Sequence, residues 1–121
     1  MMDENLIKVW KEDFSIVKSR KNYLGAFACI DDKKEITIII EENKIDKKDV
    51  IEVEKGWKLI IFNIILDFPL TGFISKISSA LAEANIPIFV IPSYSTDNIL
   101  IKKENLKRDL EIFRKLEIKI K

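Results

Sequence analysis

The densest cluster of reactive side chains is Ser93-Tyr94-Ser95-Thr96-Asp97, which combines three aliphatic hydroxyls, a phenol and a carboxylate. It joins two apolar runs, where a plain tight turn would suffice. In this arrangement Asp97 receives an ammonium group in a charge-assisted hydrogen bond. Ser93 and Thr96 orient the bound molecule, and Tyr94 walls it. The competing reading is a turn that satisfies itself, because Asp, Ser and Thr all bond nearby backbone groups. A second opportunity is Asp67 to Phe73, where an apolar run gives way to helical spacing. A helix N-terminus presents unpaired N–H groups and partial positive charge, so it holds a carboxylate without a side-chain cation. Gly72 has no Cβ and leaves room for close approach. The plainer reading is ordinary helix initiation, with Asp67 as a cap and Phe68 and Leu70 in the core.

Composition removes much other chemistry. The 121 residues contain no His, which excludes a His triad, a His general base and a His metal ligand. The single cysteine, Cys29, rules out an intrachain disulfide and the common zinc frameworks. It sits in an apolar run and reads as a small core hydrophobe rather than a nucleophile. No metal or cofactor is expected. One thiol and many lysines fit a reducing cytoplasm. Lys+Arg is 21 against Asp+Glu 20, a net charge of +1, without the positive surplus that a dedicated nucleic-acid binder needs. Residues 102–121 hold 8 basic and 4 acidic residues, interleaved as on a solvated helix face. Met1 to Asn5 is acidic and polar, unlike a signal peptide. The most apolar stretch, Trp57–Leu66, is interrupted by Lys58 and Asn63 and is far short of the roughly 20 residues a spanning helix needs.

These groups must be held by elements that the apolar pattern specifies. Hydrophobic residues make up 47% of the chain and Ile alone accounts for 23, which suits a packed core and favours strands. In the first half, Leu6–Trp10 and Phe14–Ser19 read as short strands. Gly25–Ile30 and Glu35–Ile40 read as a pair joined by the turn Asp31-Asp32-Lys33-Lys34. Ile36–Ile40 is apolar except for Thr37, as expected of a strand buried on both faces. Gly56 is a natural break, which sets the expected units at 1–55 and 56–121. In the second half, Trp57–Leu66 is a strand, and helical spacing follows over Pro69–Asn85. Ile86–Ile91 reads as a buried strand and Asn98–Lys102 as another. Glu104–Lys115 is a helix with Leu106, Leu110 and Phe113 inward, and Leu116–Lys121 is a last strand. The order β-α-β-β-α-β predicts an α+β, ferredoxin-like antiparallel sheet. The first half reads as a truncated copy of it.

The stretches Gly56-Trp57-Lys58-Leu59, Leu66-Asp67-Phe68-Pro69-Leu70-Thr71-Gly72-Phe73, Leu81-Ala82-Glu83-Ala84-Asn85-Ile86 and Ser93-Tyr94-Ser95-Thr96-Asp97-Asn98 together resemble the paired-ACT proteins of bacteria. The same ACT type recurs in the cytosolic arginine sensor of animals. The resemblance is strong over 56–117. It is weaker over 6–54, where Gly25–Ile30 and Glu35–Ile38 match first-domain strands. ACT units are small-molecule-binding regulatory modules, most often for amino acids. The resemblance therefore implies a ligand held by Leu70, Thr71, Gly72 and Phe73 at the strand-to-helix turn and by Ser93, Tyr94, Thr96 and Asp97.

Within a single unit the topology as read here sets these two segments at opposite strand ends. The site is accordingly expected at an interface between domains or subunits. The expected partners are an amino acid, a second copy of the chain and an unidentified effector protein, with no nucleic acid and no membrane. An RNA-recognition module shares the element order but needs exposed aromatics for base stacking, and Phe62 and Phe89 sit among Ile and Leu. An acylphosphatase-like enzyme would need a cationic side chain in the loop before the first helix, and Asp67–Gly72 holds neither Arg nor Lys. A ligand-free dimerisation module would keep the fold and lack an open pocket.

Overall fold

The structure, a computed structural model, describes residues 7–62, 70–93 and 97–116, and for 70–74 the backbone alone. Its strands are β1 (Ile7–Ser19), β2 (Ala28–Asp31), β3 (Ile36–Glu41), β4 (Val50–Phe62), β5 (Ile88–Pro92) and β6 (Asp97–Lys102), with helices α1 (Leu70–Glu83) and α2 (Leu106–Lys115). The strands form an antiparallel six-stranded sheet in the order β2-β3-β1-β4-β6-β5. This is the α+β architecture that the periodicity predicts. The expected last strand after Leu116 lies outside the described residues, as does Asp67.

The described chain divides into two compact units, Lys11–Trp57 and a second formed by Ile7–Trp10 with 58–116. The expected strands Leu6–Trp10 and Phe14–Ser19 are one continuous strand of 13 residues. Gly56 does not end a strand either. It lies inside β4 at φ 87°, a left-handed conformation that glycine adopts without a Cβ penalty.

In the Lys11–Trp57 unit, β3 pairs with β1 from Phe14↔Glu41 to Ser19↔Ile36 and with β2 from Ala28↔Ile39 to Asp31↔Ile36. Val17, Ile38 and Ile40 form its buried centre, with Tyr23, Ala26, Ile36, Ile45 and Val50 packed around them. Phe14 meets Phe27 edge-to-face at 6.1 Å. Cys29 is exposed rather than in the core. Its strand, β2, is the outer strand of the sheet, with no neighbour on its far side among the described residues.

In the second unit both helices pack on the sheet. Ile77 and Leu81 of α1 and Phe113 of α2 join Ile7, Ile60, Phe62, Ile86, Ile99 and Ile101 in one core. Phe62 and Phe113 meet edge-to-face at 5.8 Å. The end of α1 shows how local sequence fixes the fold. Asn85 takes φ 60°, its amide donates to the Ala82 carbonyl at 3.0 Å, and the Ile86 amide donates to Leu81 at 2.9 Å. Those two bonds define a Schellman cap, in which Asn tolerates the left-handed residue and Ile86 packs back on Leu81. Arg108 Nη2 then donates to the Ala84 carbonyl at 2.8 Å, tying α2 to the same helix end. β5 departs from expectation: Phe89 and Val90 are exposed, because among the described strands β5 is an edge strand with β6 on one side only.

Candidate functional site

The described part of helix α1 opens at Leu70, so Leu70, Thr71, Gly72 and Phe73 stand at its N-terminal end. Apolar residues at a period near 3.6 hold the helix on the sheet through Ile77 and Leu81. The first N–H groups of any helix are orphan donors.

The β5–β6 hairpin supplies the second segment. β5 and β6 pair antiparallel from Ile88↔Ile101 to Pro92↔Asp97. Ser93 is exposed. Tyr94 and Thr96 lie outside the described residues. Asp97 opens β6, a strand buried from Asp97 to Ile101, and is 7% exposed with no hydrogen-bond partner for Oδ2 among the described residues. A carboxylate oxygen removed from water without a donor is costly, and the cost is recovered when a donor arrives. Asn98, which sequence reasoning passed over, holds the hairpin in shape. Its Nδ2 donates to the Ile91 carbonyl at 3.0 Å and to Ser93 Oγ at 3.3 Å.

Strand directions relate the two segments. β6 lies between β4 and β5 in an antiparallel sheet, so β4 and β5 run the same way. The ends of β4 at Phe62 and β5 at Pro92 therefore share one end of the sheet with the start of β6 at Asp97. Helix α1 runs back from that end toward the start of β5, which it reaches through Asn85. The expectation of opposite ends is corrected: the described N-terminal end of α1 and the strand ends at Pro92 and Asp97 belong to the same end of one unit. A helix N-terminus and a buried carboxylate at one sheet end offer a site for an anion and a cation, the two charges of a zwitterion.

Among the described residues no three or more Asp, Glu or Cys side chains stand together as a metal site, and no helix is long and apolar enough to cross a membrane.

The ACT domain model matches residues 52–115, just over half the chain. The chain belongs to the ACT domain family. Among solved structures, this ACT chain is similar to protein Atu0741 of Agrobacterium tumefaciens, with a TM-score of 0.83 and 21% identity over 97% of this chain and 92% of that one. It is also similar to VC0802 of Vibrio cholerae, a protein of unknown function described as a possible transport protein (TM-score 0.71, 20% identity, 88% and 84% covered). The aspartate kinase of Clostridium acetobutylicum, described as an allosteric enzyme, matches with a TM-score of 0.71 and 16% identity, over 93% of this chain but 35% of the kinase. At these identities the likeness is one of fold. No curated protein matches the chain by sequence.

Outside the expected site, Asp109 is fully buried in α2, and neither carboxylate oxygen has a hydrogen-bond partner among the described residues. Burial pushes its pKa up from 3.8 to about 7, against the opposing pull of the neighbouring Arg108.

Proposed function

We propose that this ACT chain is a regulatory module that binds an amino acid at the sheet end shared by the first turn of α1 and the 93–97 turn. The observation that carries the reading is Asp97, nearly buried, with Oδ2 unpartnered among the described residues. A ligand ammonium completes its hydrogen bonding. The ligand carboxylate sits on the N–H groups of Leu70, Thr71, Gly72 and Phe73. Ser93 and Thr96 bond the ligand's polar atoms, and Tyr94 covers it. Binding favours one arrangement of the module over another by differential affinity, and that population shift is the regulatory signal. The site works in the cytoplasm, in a homodimer, and an effector protein reads its state. No bond in the ligand is made or broken.

A ligand-free dimerisation module is the second reading, favoured by the exposed Phe89 and Val90 on edge strand β5. Isothermal titration and thermal melts with each standard amino acid separate the two. Saturable heat and a raised melting temperature with one or a few of them support the regulatory reading. A dimer that neither warms nor stabilises with any amino acid sinks it and leaves the second.

A further inference from the structure

The Lys11–Trp57 unit is close to neutral, with 10 basic and 11 acidic residues, yet its charge is segregated. One groove of about 340 Å³ is lined by Lys18, Arg20, Lys33 and Lys34 against Asp31 and Glu35. Lys18 is committed to Glu35 at 3.6 Å. Arg20, Lys33 and Lys34 make no ion pair among the described residues. The β2–β3 turn sets the two lysines on the rim. Asp31 accepts the Lys33 amide and Asp32 accepts the amides of Lys34 and Glu35, each at 2.9 Å. Lys33 itself takes φ 73°, where glycine or asparagine would be less strained. A long cation at a position suited to glycine puts charge on the groove at a conformational cost. Ile36 and Ile51 add an apolar wall.

A second groove of about 300 Å³ lies alongside. It shares Lys18 and Glu35 and adds Glu52 and Glu54. A ligand reaching from the basic groove into this one would bring negative charge against two further carboxylates. The favoured anion is therefore compact.

We propose that the groove bordered by Arg20, Lys33 and Lys34 is a binding site for a compact phosphate-bearing small molecule, separate from the amino-acid site and independent of it. Arg20 presents the planar fork that matches two phosphate oxygens, and the lysines act as point charges. Ile36 and Ile51 receive whatever apolar portion the phosphate carries.

The test titrates the isotope-labelled full chain with pyrophosphate while following amide resonances. Saturable shifts centred on residues 18–20 and 31–36 are expected, and the R20Q/K33G double variant should bind at least about tenfold more weakly. K33G keeps the backbone conformation, so that single variant should melt no lower than the parent. K107Q on α2 should bind as the parent does. Adenosine monophosphate in place of pyrophosphate separates the sources. Tighter binding than pyrophosphate marks an organic phosphate, and weaker binding marks the inorganic ion, both within the proposal. No saturable shift by about 10 mM pyrophosphate, or an equal response to sodium chloride at matched ionic strength, overturns it. Affinity that climbs with the length of single-stranded RNA also overturns it, because the acidic groove would then not be limiting the ligand.

Discussion

The carboxylate of Glu42 accepts the backbone amide of Gly56 at 2.8 Å. Gly56 sits inside β4 with φ 87°, a conformation that breaks the regular strand geometry, and the Glu42 side chain supplies the acceptor for its N–H. A Cβ built on Gly56 meets nothing within 4 Å. The cost of Gly56→Ala is therefore conformational, about 1–2 kcal/mol. Glu42→Ala removes a charged acceptor from a partly buried amide and should cost about 1–3 kcal/mol. Glu42→Gln keeps an acceptor and should cost less. Urea unfolding midpoints rank the three variants. A Gly56→Ala protein as stable as the parent would show that the left-handed residue is not needed.

The cap of α1 gives a second expectation. Asn85 pays a small steric cost at φ 60° that glycine would not. Asn85→Gly should leave the melting temperature unchanged or slightly higher. Asn85→Val forces a β-branched residue into the left-handed region and should destabilise by about 1–2 kcal/mol. Equal melting of the Gly and Val variants would contradict the cap geometry.

The helices and most strands were legible because their apolar residues follow a single period. Leu106, Leu110 and Phe113 predict the inner stripe of α2, and all three pack into the core. The same period carried one more fact. Positions 106, 109, 110 and 113 share a helix face, so Asp109 falls on the buried stripe; its residue type suggested the solvated side. Edge position was not legible. Nothing local in Cys29 or in Phe89 and Val90 says that β2 and β5 are the outer strands of the sheet. That depends on which strands pair, a long-range property. The run Ile86–Ile91 therefore looked like a fully buried strand. Of the site, the helix expected over Pro69–Asn85 and the turn between Ser93 and Asp97 follow from periodicity and turn chemistry. Their shared sheet end required the directions of β4, β5 and β6.

If Asp97 receives the ammonium group, removing its charge must separate ligand affinity from folding. Asp97→Asn keeps the shape and exchanges one oxygen for a donor, which cannot accept from an ammonium. The ligand dissociation constant should rise at least about tenfold, since a charge-assisted bond contributes about 1.5–3 kcal/mol. The unliganded variant should melt near the parent temperature or above it, because one carboxylate oxygen there is buried without a partner among the described residues. Ser93→Ala should weaken binding several-fold; it also removes one of the two acceptors of Asn98 Nδ2, at a cost of about 0.5–1.5 kcal/mol, while the bond to the Ile91 carbonyl remains. Calorimetry with the best amino acid reads both changes. An Asp97→Asn protein that binds as tightly as the parent would remove Asp97 from the site.

Asp109 makes stability depend on pH. In the unfolded chain its carboxyl ionises near 3.8, while burial holds the folded carboxyl's pKa at about 7. Between those values the native state keeps a proton that the unfolded state has lost. Stability should therefore fall as pH rises through this window and level off above it. The raised pKa corresponds to a loss of at most about 4 kcal/mol. Asp109→Asn has no proton to lose, and Asp109→Leu also fills the site with apolar atoms. Both variants should flatten the stability profile across the window. They should be more stable than the parent near about pH 8 and gain little near about pH 4. Denaturant unfolding at a series of pH values checks this. A parent profile that stays flat between those pH values, or that Asp109→Asn leaves unchanged, would mean that Asp109 does not carry the dependence.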